Sequence, residues 1–262
     1  MPDTVSTQRK KVTLPPDAVL DELIHDPSPD IVIAVAGDAR LSEDLALSLL
    51  SRRDLPREAL EELNRNSAVA KQRKVRLALV MHPQTPRHVS VPTIRHLYVF
   101  ELMQIALLPM VATDVKRVAE DVLINKLATI SAGERFTLAK RSSGRVAASL
   151  LTDKEDRIVQ AALMNPQMTE AWIVMALKQQ AGTELLAPAV SRHQKWFPRN
   201  DVKAALLGNK NTPFARVVQI AADLPIQALR DVLSHGRIAP NVKSYLSGMM
   251  NKRMGRNSQT KD

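Results

Sequence analysis

The sequence predicts an all-α protein built as a tandem array of helical repeats. Four twelve-residue blocks align without a gap: IVIAVAGDARLS from Ile31, VRLALVMHPQTP from Val75, IVQAALMNPQMT from Ile158 and VKAALLGNKNTP from Val202. Aromatic residues make up only 3% of the chain, and the β-branched residues recur at helical spacing, so strand signals are weak. Prolines and short polar turns punctuate the chain at intervals that suit helices of about 8 to 16 residues.

The spacing of these blocks gives the repeat length. Their first residues lie 44, 83 and 44 residues apart, so the middle interval is close to twice the others. One divergent unit is therefore expected between Val75 and Ile158, with a period of about 42 to 44 residues. A related pattern, RFTLAKRSSGRV, begins at Arg135, 23 residues before Ile158. We therefore expect two helices in each period, each of about 22 residues with its turn.

Each block has the chemistry of a helix, a tight turn and the start of the next helix. Apolar residues at the first, fourth and fifth positions form one helix face, and the invariable alanine at the fourth suggests close approach of a neighbouring helix. The eighth position is short and polar, which predicts a left-handed residue at the helix end, and the twelfth is Ser, Thr or Pro, which suits a helix start. The alanines are Ala34, Ala78, Ala161 and Ala205, and the eighth positions are Asp38, His82, Asn165 and Asn209.

The period, the repeated alanines and three turn pairs carry a resemblance to a known class of folds. With the pairs His82-Pro83, Asn165-Pro166 and Thr212-Pro213, the chain resembles the HEAT-like α-solenoids, closest to the leucine-rich repeat variant group, over about residues 30 to 250. The resemblance implies a right-handed α-solenoid whose inner surface binds a partner. The founding member of that group holds an iron–sulfur cluster through cysteines, and this chain contains none. We therefore expect no cofactor.

Domain organisation and location follow from the composition of the chain. The repeats are predicted to form one solenoid domain over residues 15–251, between a disordered N-terminal tail at 1–14 and a disordered basic tail at 252–262. No stretch approaches 18 uninterrupted apolar residues, so a transmembrane helix is not expected. The polar N-terminus leads into no apolar signal core, which predicts a cytoplasmic protein.

The charge of the chain is positive and uneven. The net charge is +10, but residues 1–66 hold 8 basic and 13 acidic side chains, so the remainder carries +15. Such asymmetry favours an anionic partner for the larger part, whether nucleic acid, an acidic protein or a lipid surface. A basic composition that serves only solubility is an equal alternative.

Three basic clusters are the candidate partner- or anion-binding residues. The first precedes and enters the second block, where the apolar positions face inward and the charges should therefore project into solvent. The second lies at a predicted helix start, where free N–H groups favour a phosphate, although an ordinary capped turn is the alternative. The first consists of Lys71, Arg73, Lys74 and Arg76, and the second of Lys140, Arg141, Ser142, Ser143 and Arg145.

The third cluster interleaves basic and aromatic residues. Such a pattern can hold a nucleic-acid backbone while an aromatic ring stacks on a base. The alternative is that Trp196 and Phe197 only staple a loop against the next helix, which the sequence favours. The cluster consists of Arg192, Lys195, Trp196, Arg199 and Lys203.

No catalytic residue or metal ligand is predicted. The six histidines form no i, i+4 pair with a nearby third ligand, and the carboxylate pairs fall on ordinary polar helix faces. The eight glycines are scattered and form no phosphate-binding loop.

These observations favour a non-catalytic binding scaffold that docks a macromolecular partner, with protein as the first choice. A nucleic-acid-binding HEAT-like protein is the alternative. A DNA-glycosylase-like enzyme comes third, because such enzymes resemble this chain in period and basicity but use a cleft of several aromatics with a carboxylate. The chain has only two Trp, two Tyr and four Phe.

Overall fold

The computed structural model describes residues 13–179, 184–235 and 238–259 of the chain. Within these ranges every regular element is a helix, seventeen α-helices and one short 3₁₀ helix, in agreement with the predicted all-α class. None of the described helices has the length and the hydrophobicity needed to cross a bilayer. The chain forms two compact units, one up to Asn125 and one from Lys126 onward, whereas the sequence predicts a single repeat domain.

The N-terminal unit is a succession of short helices. Many begin at a proline or a capping serine: Pro29 follows Ser28 at the first position of a helix, and the hydroxyl of Ser42 accepts the backbone N–H of Leu45 at 3.3 Å. The helices are α1 (Leu20–Leu23), α2 (Pro29–Gly37), α3 (Glu43–Ser51), α4 (Arg57–Arg65), α5 (Arg73–Met81), α6 (Arg87–Ile94), α7 (Val99–Leu107) and α8 (Thr113–Lys126), whose last residue crosses the unit boundary.

The C-terminal unit repeats this construction. Its first helix begins at a capping box, in which the Ser131 N–H donates to the Glu134 carboxylate at 2.9 Å while the Glu134 N–H donates to the serine hydroxyl at 3.3 Å. The helices are α9 (Ala132–Arg141), α10 (Gly144–Ser149), a 3₁₀ helix (Leu150–Thr152), α11 (Asp156–Leu163), α12 (Glu170–Gln179), α13 (Leu186–Arg192), α14 (Asn200–Leu207), α15 (Phe214–Asp223), α16 (Ile226–His235) and α17 (Pro240–Gln259).

Within each unit, helices pack on their second neighbours along the chain. In the N-terminal unit α2 packs on α4, α3 on α5, and α5 on α7. In the C-terminal unit α9 packs on α11, α10 on α12, α12 on α14, α14 on α16, and α15 on α17. Alternate helices therefore form two layers whose apolar faces meet in a core. Leu49 and Leu60 are fully buried in the first unit, and Ile158 and Leu206 in the second.

Side chains that follow a helix fix this stacking by capping the helix beneath. Asn66, which follows α4, donates from Nδ2 to the carbonyls of Ala36 at 3.0 Å and Asp38 at 2.8 Å, where α2 ends. His82, which follows α5, holds the carbonyl of Arg52 after α3, with Nε2 at 2.7 Å. The last carbonyls of a helix have no partner within it, so these side chains satisfy acceptors that the backbone leaves open.

The same device recurs in the C-terminal unit. Asn165, after α11, donates to the carbonyls of Ala139 at 2.8 Å and Ser142 at 3.1 Å, and Asn209, after α14, donates to Leu177 at 2.8 Å. In all of these hydrogen bonds the donor residue lies 23 to 33 residues after the residue whose carbonyl it caps. We refer to these side chains, together with Arg253 within α17, as the clamp residues: Arg52, Asn66, His82, Asn165, Trp196, Asn209 and Arg253.

The positions of the blocks in the structure correct the predicted number of helices per repeat. Ile31 lies in α2 and Val75 in α5, so the 44-residue spacing contains three helices with their turns, and not the two that the sequence predicts. Ile158 in α11 and Val202 in α14 show the same relation. The blocks coincide because every helix in either layer needs an inward face and a capped end, so the pattern marks single helices and not the stacking period.

The eighth block position also has a different role from the predicted one. Asp38 and His82 have φ values of −70° and −71° with extended ψ, so neither is left-handed. A polar side chain is needed at the eighth position because it forms hydrogen bonds with backbone groups of the same turn or of an earlier helix end. The alanines of the fourth position differ in burial: Ala161 and Ala205 are buried, but Ala34 and Ala78 are partly exposed. Close packing of a neighbouring helix therefore does not explain Ala34 and Ala78.

Parts of the two predicted tails lie within the described residues. Residues 1–12 and 260–262 lie outside the described residues. Residues 252–259 continue helix α17, which ends at Gln259. Arg253 gives the physical reason, because its guanidinium donates to the carbonyls of Ala221 at 3.0 Å and Leu224 at 2.7 Å and so anchors the helix to the end of α15.

One clamp residue should make stability depend on pH. His82 is buried, and burial lowers its pKa from the ordinary value of 6.5, although the hydrogen bond to Arg52 and the charge of Asp54 oppose that shift. Its Nδ1 accepts the Gln84 N–H at 3.2 Å, so the folded chain needs the neutral ring. Below the ordinary pKa the unfolded chain binds a proton that the folded chain does not, and stability falls as pH falls through the lowered pKa.

Replacing His82 by asparagine is the matched test, because asparagine fills the same position after α4, α11 and α14. We expect His82→Asn to fold and to lose less stability than the wild type between about pH 7 and 5. Urea titrations followed by circular dichroism would measure the difference. His193→Asn is the control, because burial also lowers the pKa of His193. Parallel stability curves for wild type and His82→Asn would contradict the assignment.

Candidate functional site

The first predicted basic cluster is divided between two cavities in the N-terminal unit. Arg73 and Lys74 line a groove of about 800 Å³, whereas Lys71 and Arg76 line a separate cavity of about 250 Å³. Successive residues of a helix point in different directions, so four charges close in sequence do not share one face. The cluster that the sequence indicates as a single anion patch is therefore two environments.

The larger cavity is a groove that joins three helices. Its walls come from α5 and α7, with Glu43 at the start of α3, and its apolar lining includes Leu77, Met81 and Phe100. Phe100 is 46% exposed, so a large aromatic side chain on a packed helix remains open to solvent. We call this surface the α5–α7 groove, lined by Glu43, Gln72, Arg73, Lys74, Leu77, Ala78, Met81, Phe100, Glu101 and Gln104.

A buried carboxylate organises one end of the groove. Glu101 is only 6% exposed and accepts from Arg73 Nε at 2.5 Å and from the backbone N–H of Tyr98 at 2.8 Å. The guanidinium of Arg73 also lies 4.5 Å from the centre of the Tyr98 ring. A buried carboxylate needs such partners, so Arg73 is held in one position. Lys74 is exposed beside this pair and has no ion-pair partner among the described residues.

The second predicted cluster combines exposed cations with buried serines. Lys140 and Arg141 are exposed, but Ser142 and Ser143 are only 1% and 7% exposed. The carbonyl oxygen of Gln167 lies against Gly144, at the point where a phosphate would have to approach the start of α10. The turn after α11 therefore covers this helix end. Arg145, the last member, lies one residue further along α10.

The third cluster is organised around a buried tryptophan. Trp196 is 2% exposed, and its Nε1 donates to the carbonyl of Leu163 at 2.9 Å, so its ring is not available to stack on a base. This geometry supports the alternative in which Trp196 staples a loop. Lys195 Nζ lies 4.2 Å from the centre of the Trp196 ring, and the guanidinium carbon of Arg199 lies 5.6 Å from it. Lys203 Nζ lies 5.6 Å from the centre of the Phe197 ring.

Two cations of this third cluster are already paired. Arg199 bonds Glu170 at 2.9 Å and Lys203 bonds Asp223 at 3.1 Å. Arg192 and Lys195 instead line a cavity of about 520 Å³ beside Met164, which is 70% exposed. The pKa of His193, in the same cavity, is lowered by burial and by the charge of Lys195. The cluster therefore presents two cations around a mainly neutral pocket.

Several residues of these surfaces are not predicted from the sequence. Tyr98 and Phe100 could not be separated from core residues, although Glu101 within an apolar stretch was a visible signal. His88 and His96 meet Lys71 only because α6 packs beside α5. Among the described residues no three His, Cys, Asp or Glu side chains are grouped as a metal site would need.

Comparison of the chain with protein-family models, with curated proteins and with solved structures finds no match.

Proposed function

We propose that the chain is a non-catalytic, cytoplasmic binding scaffold that docks a protein partner, and that the α5–α7 groove is its docking surface. The observation that carries this proposal is the half-exposed Phe100 beside Leu77 and Met81 in a groove of about 800 Å³. Aromatic residues and methionine are enriched where proteins bind one another. A partner that covers this part of the groove would bury the half-exposed Phe100 side chain.

The finer architecture that we propose is a HEAT-like α-solenoid close to the leucine-rich repeat variant group. Packing between second neighbours and the recurring clamp residues support this proposal within each unit. Repeat arrays of this kind stabilise themselves through neighbouring repeats and leave their outer helix faces free for binding.

The chemistry of the groove indicates the kind of protein segment that it would bind. Leu77, Met81 and Phe100 would receive apolar side chains of the partner, and Lys74 would attract a carboxylate beside them. Arg73 is already held by Glu101 and Tyr98, so it would bind without losing much side-chain entropy. An amphipathic segment with acidic flanks meets these requirements.

The test replaces Phe100 by a photo-crosslinking phenylalanine derivative in cells, with the same replacement at Phe214 as a matched control. Phe214 is 50% exposed but lies in the C-terminal unit. We expect a protein to be captured from position 100 and not from 214. Phe100→Ser should then weaken binding of the purified partner by about 30-fold, as expected for loss of an aromatic hot spot. Phe214→Ser should change the affinity little. Equal capture at both positions, or unchanged affinity of Phe100→Ser, would overturn the proposal.

The second candidate is binding of a nucleic-acid backbone by the third basic cluster. The cations fixed over Trp196 and Phe197 favour it, although the buried Trp196 leaves phosphate contacts as the main interaction. Such contacts would make affinity fall by roughly three decades or more between 50 and 200 mM salt if six or more phosphates were bound. An oligonucleotide arm in the same binding assay separates the two functions, because the groove complex should depend much less on salt.

A further inference from the structure

The smaller cavity of the N-terminal unit gathers basic and polar side chains from four separate segments. Asn64 comes from the last turn of α4, Lys71 from the connection that follows, Arg76 from α5, and His88 and His96 from α6 and the residues just after it. Their sequence positions span more than thirty residues, so only the packing of α6 beside α5 brings them together. We call this the α4–α6 cavity, lined by Asn64, Ala70, Lys71, Arg76, His88, Pro92, Thr93 and His96.

The polar lining of the α4–α6 cavity is rich in hydrogen-bond donors. Lys71 and Arg76 carry permanent positive charge, the two imidazoles can each donate, and the Asn64 amide adds two further N–H groups. No carboxylate belongs to the lining. Two cations side by side repel a metal ion, and a lining that combines charged donors with no carboxylate suits an anion that carries several oxygen atoms.

Two contacts hold the lining in place before any ligand arrives. Arg76 Nε donates to the carbonyl of Ala70 at 2.9 Å, and the remaining guanidinium N–H groups have no partner among the described residues. His88 Nε2 lies 3.1 Å from the carboxylate of Glu61, which stands outside the cavity and also faces Arg65 at 3.6 Å. Side chains fixed in this way lose less entropy when they bind a ligand.

The size of the cavity limits what it can take. Its volume of about 250 Å³ lies below the roughly 300 to 1,000 Å³ of pockets that enclose drug-sized ligands. A tetrahedral oxyanion or a single phosphorylated group fits such a space, whereas a whole nucleotide would extend out of it. Guanidinium and ammonium groups are the side chains that most often bind phosphate in proteins.

We propose that the α4–α6 cavity is a phosphate-binding site that takes the dianion of a phosphate monoester. Lys71 and Arg76 supply the charge, and His88, His96 and Asn64 supply directional hydrogen bonds. This site is separate from the α5–α7 groove, because Lys71 and Arg76 line the former while Lys74 and Leu77 line the latter. Its ligand is either a free small phosphate or a phosphorylated side chain of a protein.

The test titrates the full chain with inorganic phosphate, with a short phosphoserine peptide and with the unphosphorylated peptide, at constant ionic strength. Imidazole ¹H–¹⁵N spectra would follow the six histidines, assigned by His88→Gln and His96→Gln. We expect phosphate and the phosphopeptide to shift His88 and His96 together while His25 stays in place. Tighter binding of the phosphopeptide would identify a phosphorylated side chain as the source, and equal binding would identify the free anion. No shift of either histidine with any phosphate would overturn the proposal.

Lys71→Gln and Lys74→Gln form the matched pair, because each removes one exposed charge near the start of α5 but only Lys71 lines the cavity. Lys71→Gln should weaken phosphate binding about tenfold, as expected for loss of one charge-assisted hydrogen bond, and Lys74→Gln should change it less than about twofold. Equal losses in the two variants would show a general charge effect and sink the proposal. Phe100→Ser should leave phosphate binding unchanged, so failure of the docking groove can be told from failure of this site.

Discussion

Replacing Asn165 by alanine is expected to lower the free energy of unfolding of the C-terminal unit by about 3 to 4 kcal/mol. The side chain is 1% exposed and makes three hydrogen bonds: it donates to Ala139 at 2.8 Å and Ser142 at 3.1 Å, and it accepts the Gln167 N–H at 2.7 Å. Alanine removes all three and takes the Asn165 donor away from the carbonyls of Ala139 and Ser142 at the end of α9. Unsatisfied buried polar groups are the expensive part of this loss.

Tryptophan fluorescence during urea unfolding would measure the effect, because both tryptophans of the chain, Trp172 and Trp196, lie in the C-terminal unit. Asn209→Ala is the graded comparison: Asn209 donates to one carbonyl, is less buried, and should cost about half as much. Asn211→Ala should change stability by less than about 0.5 kcal/mol, since no hydrogen bond of its side chain is present among the described residues. Equal losses at positions 165, 209 and 211 would refute the clamp.

Asn165 also shows how far the sequence could lead to the fold. Its block position was visible as a short polar residue after a helical apolar face, and the predicted turn is there. Its hydrogen bonds reach 23 and 26 residues back along the chain, to the end of α9. Alignment of blocks cannot give that partner, because the same pattern follows helices of both layers. Helix positions were therefore predictable, but the pairing of helices and the number per period were not.

The binding surfaces were predictable only in part, for a related reason. Local charge density identified Lys71 and Lys74, but the direction of each side chain depends on the helix that carries it and on the helices packed beside it. Ser142 and Ser143 are buried because the turn after α11 covers them. Trp196 is buried for the same kind of reason, since it caps α11. Exposure is a property of the stacked layers, which local sequence does not encode.

Replacing Gly144 by alanine is expected to lower the free energy of unfolding by about 3 kcal/mol. A β-carbon at this position would contact the carbonyl oxygen of Gln167 more closely than real β-carbons approach any atom, and it would lie 3.2 Å from the carbonyl carbon. These are backbone atoms, so no side-chain rotation can relieve the overlap. The turn after α11 would have to move.

Gly133→Ala is the matched control, because it makes the same substitution at the second residue of α9, where no atom lies within 4 Å of the added β-carbon. Alanine restricts the unfolded chain and favours a helix, so this variant should be more stable by about 0.5 kcal/mol. Opposite signs for the two glycine variants, measured by urea unfolding with tryptophan fluorescence, are the expected result. A destabilised Gly133→Ala variant would contradict this explanation, because the loss of stability would then come from removal of a glycine and not from overlap with the Gln167 carbonyl.

The Gly144 overlap and the Asn165 clamp concern one turn, so their effects should not add. Asn165 holds the Gln167 N–H at 2.7 Å and thereby keeps the Gln167 carbonyl pressed against Gly144. Once Asn165 is removed, the turn can move away and make room for a β-carbon. We therefore expect the double variant to lose at least about 1 kcal/mol less than the sum of the single variants. Strict additivity would mean that the turn is held by contacts other than the clamp.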